Sequence, residues 1–217
     1  MELLYPDYKS TRLRAPRRER IDVPRLSTEL TGPALWDGRV GEQDHDLTRQ
    51  HDGEPLGERI VVHGRVLEAD GRPVPGTLVE VWQCNAGGRY RHRNDQHPAP
   101  LDANFTGLGR CLTGSDGAFE FVTIKPGAYP WGNHHNAWRP AHIHFSVFGR
   151  AFTQRLVTQM YFPGDPLFSQ DPIFNSVREP RDRELLVAAF DLDRTRPEWA
   201  LAYRWDIVLR STPFEDG

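Results

Sequence analysis

At 217 residues, 38% hydrophobic and with eleven Phe, six Trp and six Tyr, the chain is long enough for one substantial core and short for two. Its 27 basic and 30 acidic residues are intermixed and leave a formal net charge of −3, which gives no electrostatic reason to bind nucleic acid or an anionic membrane. The start MELLYPDYKSTRLRAPRRER has no apolar run of signal-peptide type, no later run approaches transmembrane length, and Cys84 and Cys111 lack a CxxC spacing, so a cytoplasmic chain without disulfides or a zinc ribbon is expected.

Residues 1–57 are rich in Pro, Gly and charge and have little periodicity, which predicts an irregular N-terminal arm. Its arginines, Arg12, Arg14, Arg17, Arg18 and Arg20, are followed by acidic residues, as in a solvated or subunit-contacting segment. From Glu58 the character changes, and residues 58–217 read as one domain. RIVVHGRVLEA is strand-like, Asp70-Gly71 is a turn signal and TLVEVWQC resumes the alternation, which predicts a hairpin. GRCLT and AFEFVTI, around Ser115-Asp116-Gly117, predict a second. Further strands are expected over 141–148, 155–161 and 203–210. Pro180 and the spacing of Leu185, Leu186, Ala189 and Phe190 predict one short helix outside the sheets. The fold class is therefore all-β: an antiparallel sandwich or barrel with an irregular arm, one short helix and two long loops, 87–109 and 125–140.

The segment WRPAHIHFSVFG carries the first chemical signal. In a strand, residues two apart share a face, so His142 and His144 point one way while Ile143, Phe145 and Val147 point the other. An isolated H-x-H is equally compatible with two satisfied polar groups at the rim of a core. Tyr90 and Tyr129 stand in the long loops, and each alone would be an ordinary amphipathic aromatic. Together, two phenols and two imidazoles make an N2O2 set, whose anionic oxygens favour a hard, high-valent ion such as ferric iron. Zinc is the competing metal, with His134 or His135 as a third ligand, although these read better as solvated residues. His45, His51, His63, His92 and His97 have no strand-face partner of this kind and read as ordinary polar residues.

GGRYRHRND, TIKPGAYPW, WRPAHIHF and QMYFPGDPL, in that order, resemble the ligand and pocket motifs of the intradiol ring-cleavage dioxygenases. PDYKST, GRPVPGTLVEVWQ and WALAYRWDIVLR extend the resemblance over most of the chain, and to the branch that pairs an iron-bearing β chain with an α chain to cleave protocatechuate. The resemblance implies a non-haem Fe(III), one per chain, held by Tyr90, Tyr129, His142 and His144 with a solvent hydroxide. It implies that a catechol chelates as a dianion and displaces Tyr129, which then serves as a base, and that Arg139 stabilises charge developing on the ring. Pocket roles carry over to Tyr8, for the substrate carboxylate, and to Trp82, Trp131, Gln159 and Ile173. The implied product is 3-carboxy-cis,cis-muconate, in the β-ketoadipate route of aromatic catabolism, and the implied partner is a homologous α subunit in multiple αβ units, with the arm contributing contacts and part of the pocket. Gly132, where the family has a basic residue, and Cys84, where alanine is common, depart from the pattern.

Three other readings compete. Catechol and hydroxyquinol dioxygenases share the chemistry but usually carry a helical N-terminal segment, unlike this arm. A non-catalytic β-sandwich subunit would lack the ligand set that is present here, and a zinc hydrolase built on H-x-H would need a further ligand.

Overall fold

The computed structural model describes residues 17–19, 21, 40–132, 137–148 and 155–209. Its strands are β1 (Arg59–Glu68), β2 (Leu78–Trp82), β3 (Leu108–Leu112), β4 (Ala118–Ile124), β5 (Tyr129–Trp131), β6 (Ala137–Arg139), β7 (His142–Phe148), β8 (Arg155–Tyr161), β9 (Ala189–Arg196), β10 (Ala200–Arg204) and β11 (Ile207–Leu209). The near-continuous apolar run of β1 explains its central place, because a strand covered on both faces needs no polar alternation. It pairs antiparallel with β4, from Arg59 opposite Ile124 to Arg65 opposite Ala118. It runs parallel to β10 along 60–63 and to β11 along 66–68, and β9 completes this five-stranded sheet beside β10. The parallel pairs make the sheet mixed rather than purely antiparallel. The second sheet, in the order β3-β2-β7-β8, is antiparallel throughout.

The core lies between the two sheets. Val62, Phe119 and Phe121 from the first meet Ile143, Phe145 and Val147 from the second, and Phe145 packs edge-on against Trp205 at 4.9 Å between ring centroids. Gly64 is required here, since a Cβ on it would stand 1.9 Å from the Trp205 carbonyl oxygen. A smaller cluster, Val61, Val122, Ala200 and Ala202, covers the far face of the first sheet. Of the expected arm, residues 40–57 are described in full. They pack on the domain: Leu47 is fully buried and its N–H donates to the Val122 carbonyl.

Two expectations about pairing give way. The turns at Asp70-Gly71 and Ser115-Asp116-Gly117 exist, and the first closes a short antiparallel bridge between Leu67 and Pro73, but neither pairs the strands expected: β1 and β4 belong to one sheet, β2 and β3 to the other. Each turn is a corner between sheets, stitched by the buried Thr113, whose hydroxyl donates to Val74 O and accepts from Thr77 N. The predicted helix shrinks to α1 (Pro180–Glu184), with Pro180 in its first turn as expected. Ala189 and Phe190 instead open β9, where AFDLDRTR alternates with period two and pairs with β10. Among the described residues no helix is long and apolar enough to cross a membrane.

Candidate active site

The alternation of β7 turns His142 and His144 away from the core, with their ring centroids 4.9 Å apart. His142 is buried, and its Nδ1 lies 2.7 Å from the Pro140 carbonyl oxygen. A carbonyl only accepts, so Nδ1 carries the proton and Nε2 presents its lone pair to the site. His144 stacks flat on the Trp82 indole of the neighbouring strand, at 4.8 Å and 3°. The register that sets Trp82 opposite His144 and Gln159 opposite His144 on the other side supplies both neighbours.

The two tyrosines arrive from loops that need glycine to approach each other. Gly88 has φ +80°, and a Cβ there would stand 2.5 Å from Ala128 O; a Cβ on Gly127 would stand 2.4 Å from Ala86 O. Asp95 accepts the Tyr90 N–H at 2.7 Å, and Asn85 Oδ1 accepts from Gly87 and Arg89, which fixes the loop carrying Tyr90. Tyr129 lies on β5, opposite Arg139 on β6.

As a result four donors converge. The Tyr129 hydroxyl is 3.3 Å from His142 Nε2, the Tyr90 hydroxyl is 3.1 Å from His144 Nε2, and the two phenol rings meet edge to face at 5.6 Å. Two donors each about 2.1 Å from one ion at right angles stand about 3 Å apart, so this spacing suits a single cation. Burial holds the His142 imidazole well below its usual range, and the Arg139 charge adds to this; burial and Arg139 together bring His144 down to about 3. Both rings are therefore neutral lone-pair donors. Burial pushes both phenols up, Tyr90 also through its neighbour Tyr129, and Arg139 opposes the rise in each. A phenolate in such a place requires a cation beside it. Cys84 is a buried bystander: its thiol reaches Gly127 O at 3.3 Å, and burial pushes its pKa up to about 12.

Arg139 is buried beside these donors. Its Nε lies 2.9 Å from Asp171 Oδ1, and its Nη2 donates to Gln159 Oε1 and, at 3.2 Å, to the Tyr161 hydroxyl. The Trp131 ring lies 5.6 Å from the guanidinium carbon. Burial alone would lower the arginine pKa, but Asp171, Tyr129 and Tyr161 hold it above the ordinary value, so the guanidinium stays charged. Ile173 is half-buried on the loop that follows, its N–H bonded to Asp171 Oδ1 at 2.9 Å. Tyr90, Tyr129, Trp131 and Gly132 line a cavity of about 720 Å³, shared with Asp95 and His97. Among the described residues, nothing lies within 4 Å of a Cβ built on Gly132. Tyr8, His134 and His135 fall outside the described residues. Sequence reasoning missed Asp171 and Tyr161; Tyr161 stood in the quoted QMYFPGDPL, but nothing local ties Asp171 to Arg139.

Comparisons with known proteins give the family. The family model described as Dioxygenase matches residues 30–211, and that of the protocatechuate 3,4-dioxygenase beta subunit N terminal matches residues 2–24. The chain belongs to the intradiol ring-cleavage dioxygenases. It is 56% identical to the protocatechuate 3,4-dioxygenase beta chain of Burkholderia cepacia, over 98% of this chain and 92% of that one. The protocatechuate 3,4-dioxygenase alpha chain of Pseudomonas putida is 29% identical, over 87% and 92%. The fold is also that of 3-chlorocatechol 1,2-dioxygenase from Rhodococcus opacus, with a TM-score of 0.59 at 22% identity over 80% of this chain and 67% of that one.

Proposed function

We propose that this intradiol dioxygenase is the iron-bearing β subunit of a protocatechuate 3,4-dioxygenase, converting protocatechuate and dioxygen to 3-carboxy-cis,cis-muconate. The single observation that carries the reading is the convergence of Tyr90, Tyr129, His142 and His144 with the buried charge of Arg139 beside them. These four would hold one Fe(III), which supplies Lewis acidity toward a catecholate and shares electron density with its ring. The remaining work falls to the chain. Pro140 O fixes the His142 tautomer, and Trp82 fixes the plane of His144, so that both rings meet the ion without reorganising. The Tyr129 phenolate oxygen takes a proton from the incoming diol, a base supplied by the site itself. Arg139 holds a fixed positive charge where negative charge grows on the ring. Trp131, Gln159 and Ile173 form walls, and Tyr8 meets the substrate carboxylate. A homologous α subunit is the expected partner, with the arm contributing subunit contacts and part of the pocket and the 58–217 domain carrying the chemistry; the α-chain relative supports that pairing.

The test is oxygen uptake with protocatechuate, catechol and hydroxyquinol in turn, using iron-loaded protein co-expressed with its α partner. Preferential turnover of protocatechuate to the 3-carboxymuconate is expected. Preference for either other diol would move the assignment within the family. No turnover of any diol, with no iron retained, would support a non-catalytic subunit instead.

A further inference from the structure

Arg139 is the buried cation of the site, and the structure shows what holds it. Asp171 is fully buried and its Oδ1 pairs with Nε at 2.9 Å. Tyr161, also buried, places its hydroxyl 3.1 Å from Asp171 Oδ2 and 2.9 Å from Gln159 Oε1 while accepting from Nη2. Phe168 and Phe174, stacked on each other, wedge the Tyr161 ring at 6.0 and 5.0 Å. Asp171 is itself anchored: its Oδ1 accepts from Ile173 N and its carbonyl from both the backbone and the side chain of Asn175. Nη2 therefore carries the hydrogen bonds to Gln159 and Tyr161, while the Nε edge is held to Asp171 by an ion pair whose geometry is not that of a hydrogen bond.

We infer that Asp171, backed by Tyr161, is a positioning residue: it holds the Arg139 guanidinium in place beside the reacting ring and ties that placement to the loop carrying Ile173. The inference rests on the function proposed above. A guanidinium held on one edge by the charge of a buried carboxylate and at Nη2 by two hydrogen bonds keeps one placement, whereas one held at Nη2 alone swivels, and a misplacement of about 1 Å at a charge-stabilising group costs about 100-fold in rate. Removing the carboxylate charge but not its shape should therefore slow turnover without weakening substrate chelation, which depends on other residues.

The test compares Asp171→Asn and Tyr161→Phe with wild type, each as iron-loaded, co-expressed complex. Melting temperature, the visible spectrum, anaerobic protocatechuate binding, kcat and KM are measured for each. Asp171→Asn should lower kcat by about 10- to 100-fold and leave the anaerobic binding constant and the spectrum of the substrate complex close to wild type. In an Arg139→Met background the same substitution should produce no further loss, because Asp171 acts through Arg139. Wild-type kcat in Asp171→Asn, or an equal loss in the Arg139→Met background, overturns the inference. Should Asp171→Asn fail to fold, Tyr161→Phe decides: a fall in kcat at unchanged melting temperature and unchanged anaerobic binding supports it, and an unchanged kcat rejects it. A wild-type complex that does not cleave protocatechuate overturns the proposed function first, and this inference with it.

Discussion

Along β7, the residues facing the core (Ile143, Phe145, Val147) and two of those facing outward (His142, Ser146) are equally buried, so burial does not distinguish the two faces. Their neighbours do. On the inner face Phe145 meets Phe119, Phe121 and Trp205, at 4.9 to 6.3 Å between centroids, and nothing polar is asked of it. On the outer face every polar side chain has an assigned partner: His142 has Pro140 O, His144 has the Tyr90 hydroxyl, and Ser146 Oγ accepts from Arg155 Nε at 3.1 Å. One face stabilises the fold by excluding water, and the other spends its burial on orienting donors, which is why substitutions on the two should be separable.

The largest expected effect is on the inner face. Phe145→Ala should cost about 3–5 kcal/mol of folding stability, read from denaturant unfolding, while the fraction that remains folded keeps its iron and its spectrum. On the outer face His144→Ala should do the reverse. Activity should fall at least about 100-fold and iron content should drop, with the unfolding midpoint of the metal-free protein close to wild type; a large loss of stability there would erase the distinction between the faces.

Gly88→Ala sharpens the comparison from the loop side. Its positive φ and the 2.5 Å approach to Ala128 O predict a cost of about 1–3 kcal/mol, together with a changed visible spectrum, because Tyr90 follows two residues later. The smallest effect is expected at the surface pair between the half-exposed Asp44, in the segment before β1, and Arg110 of the edge strand β3, where Arg110 Nε lies 2.7 Å from Asp44 Oδ2 and Asp44→Asn should cost no more than about 0.5 kcal/mol. The Arg110 hydrogen bond holds the Asp44 carboxyl below its ordinary pKa. A depressed folded-state pKa means that the contribution is present above the unfolded value of about 4 and is lost as the pH falls through the folded value. The small difference between wild type and Asp44→Asn should therefore narrow on acidification below about pH 4.

What could be read from the sequence follows the range of the interactions involved. The faces of β7 were legible because strand periodicity is local, and β4 and β8 were legible for the same reason, while β1 showed as an apolar run ended by a turn signal. The two turns were legible as turns but not as corners between sheets, since which strand a chain pairs with after a turn is decided by the whole sandwich. The helix was overextended because LLVAAF suits either period, and pairing with β10 decides for strand from Ala189 onward. At the site, the four donors and Arg139 stood in motifs. Asp171 did not: its importance lies in an ion pair with a residue far away along the chain, and a lone aspartate in a proline-rich loop announces nothing.

The central claim is that the outer face of β7 and the two glycine-dependent loops together make a ferric bis-tyrosinate site. The visible spectrum of the iron-loaded protein, with and without protocatechuate in the absence of oxygen, tests it most directly. The account predicts a broad tyrosinate-to-iron charge-transfer band that shifts when the diol binds. Stoichiometric iron in a colourless protein would mean that Tyr90 and Tyr129 do not bind the metal, and would contradict it.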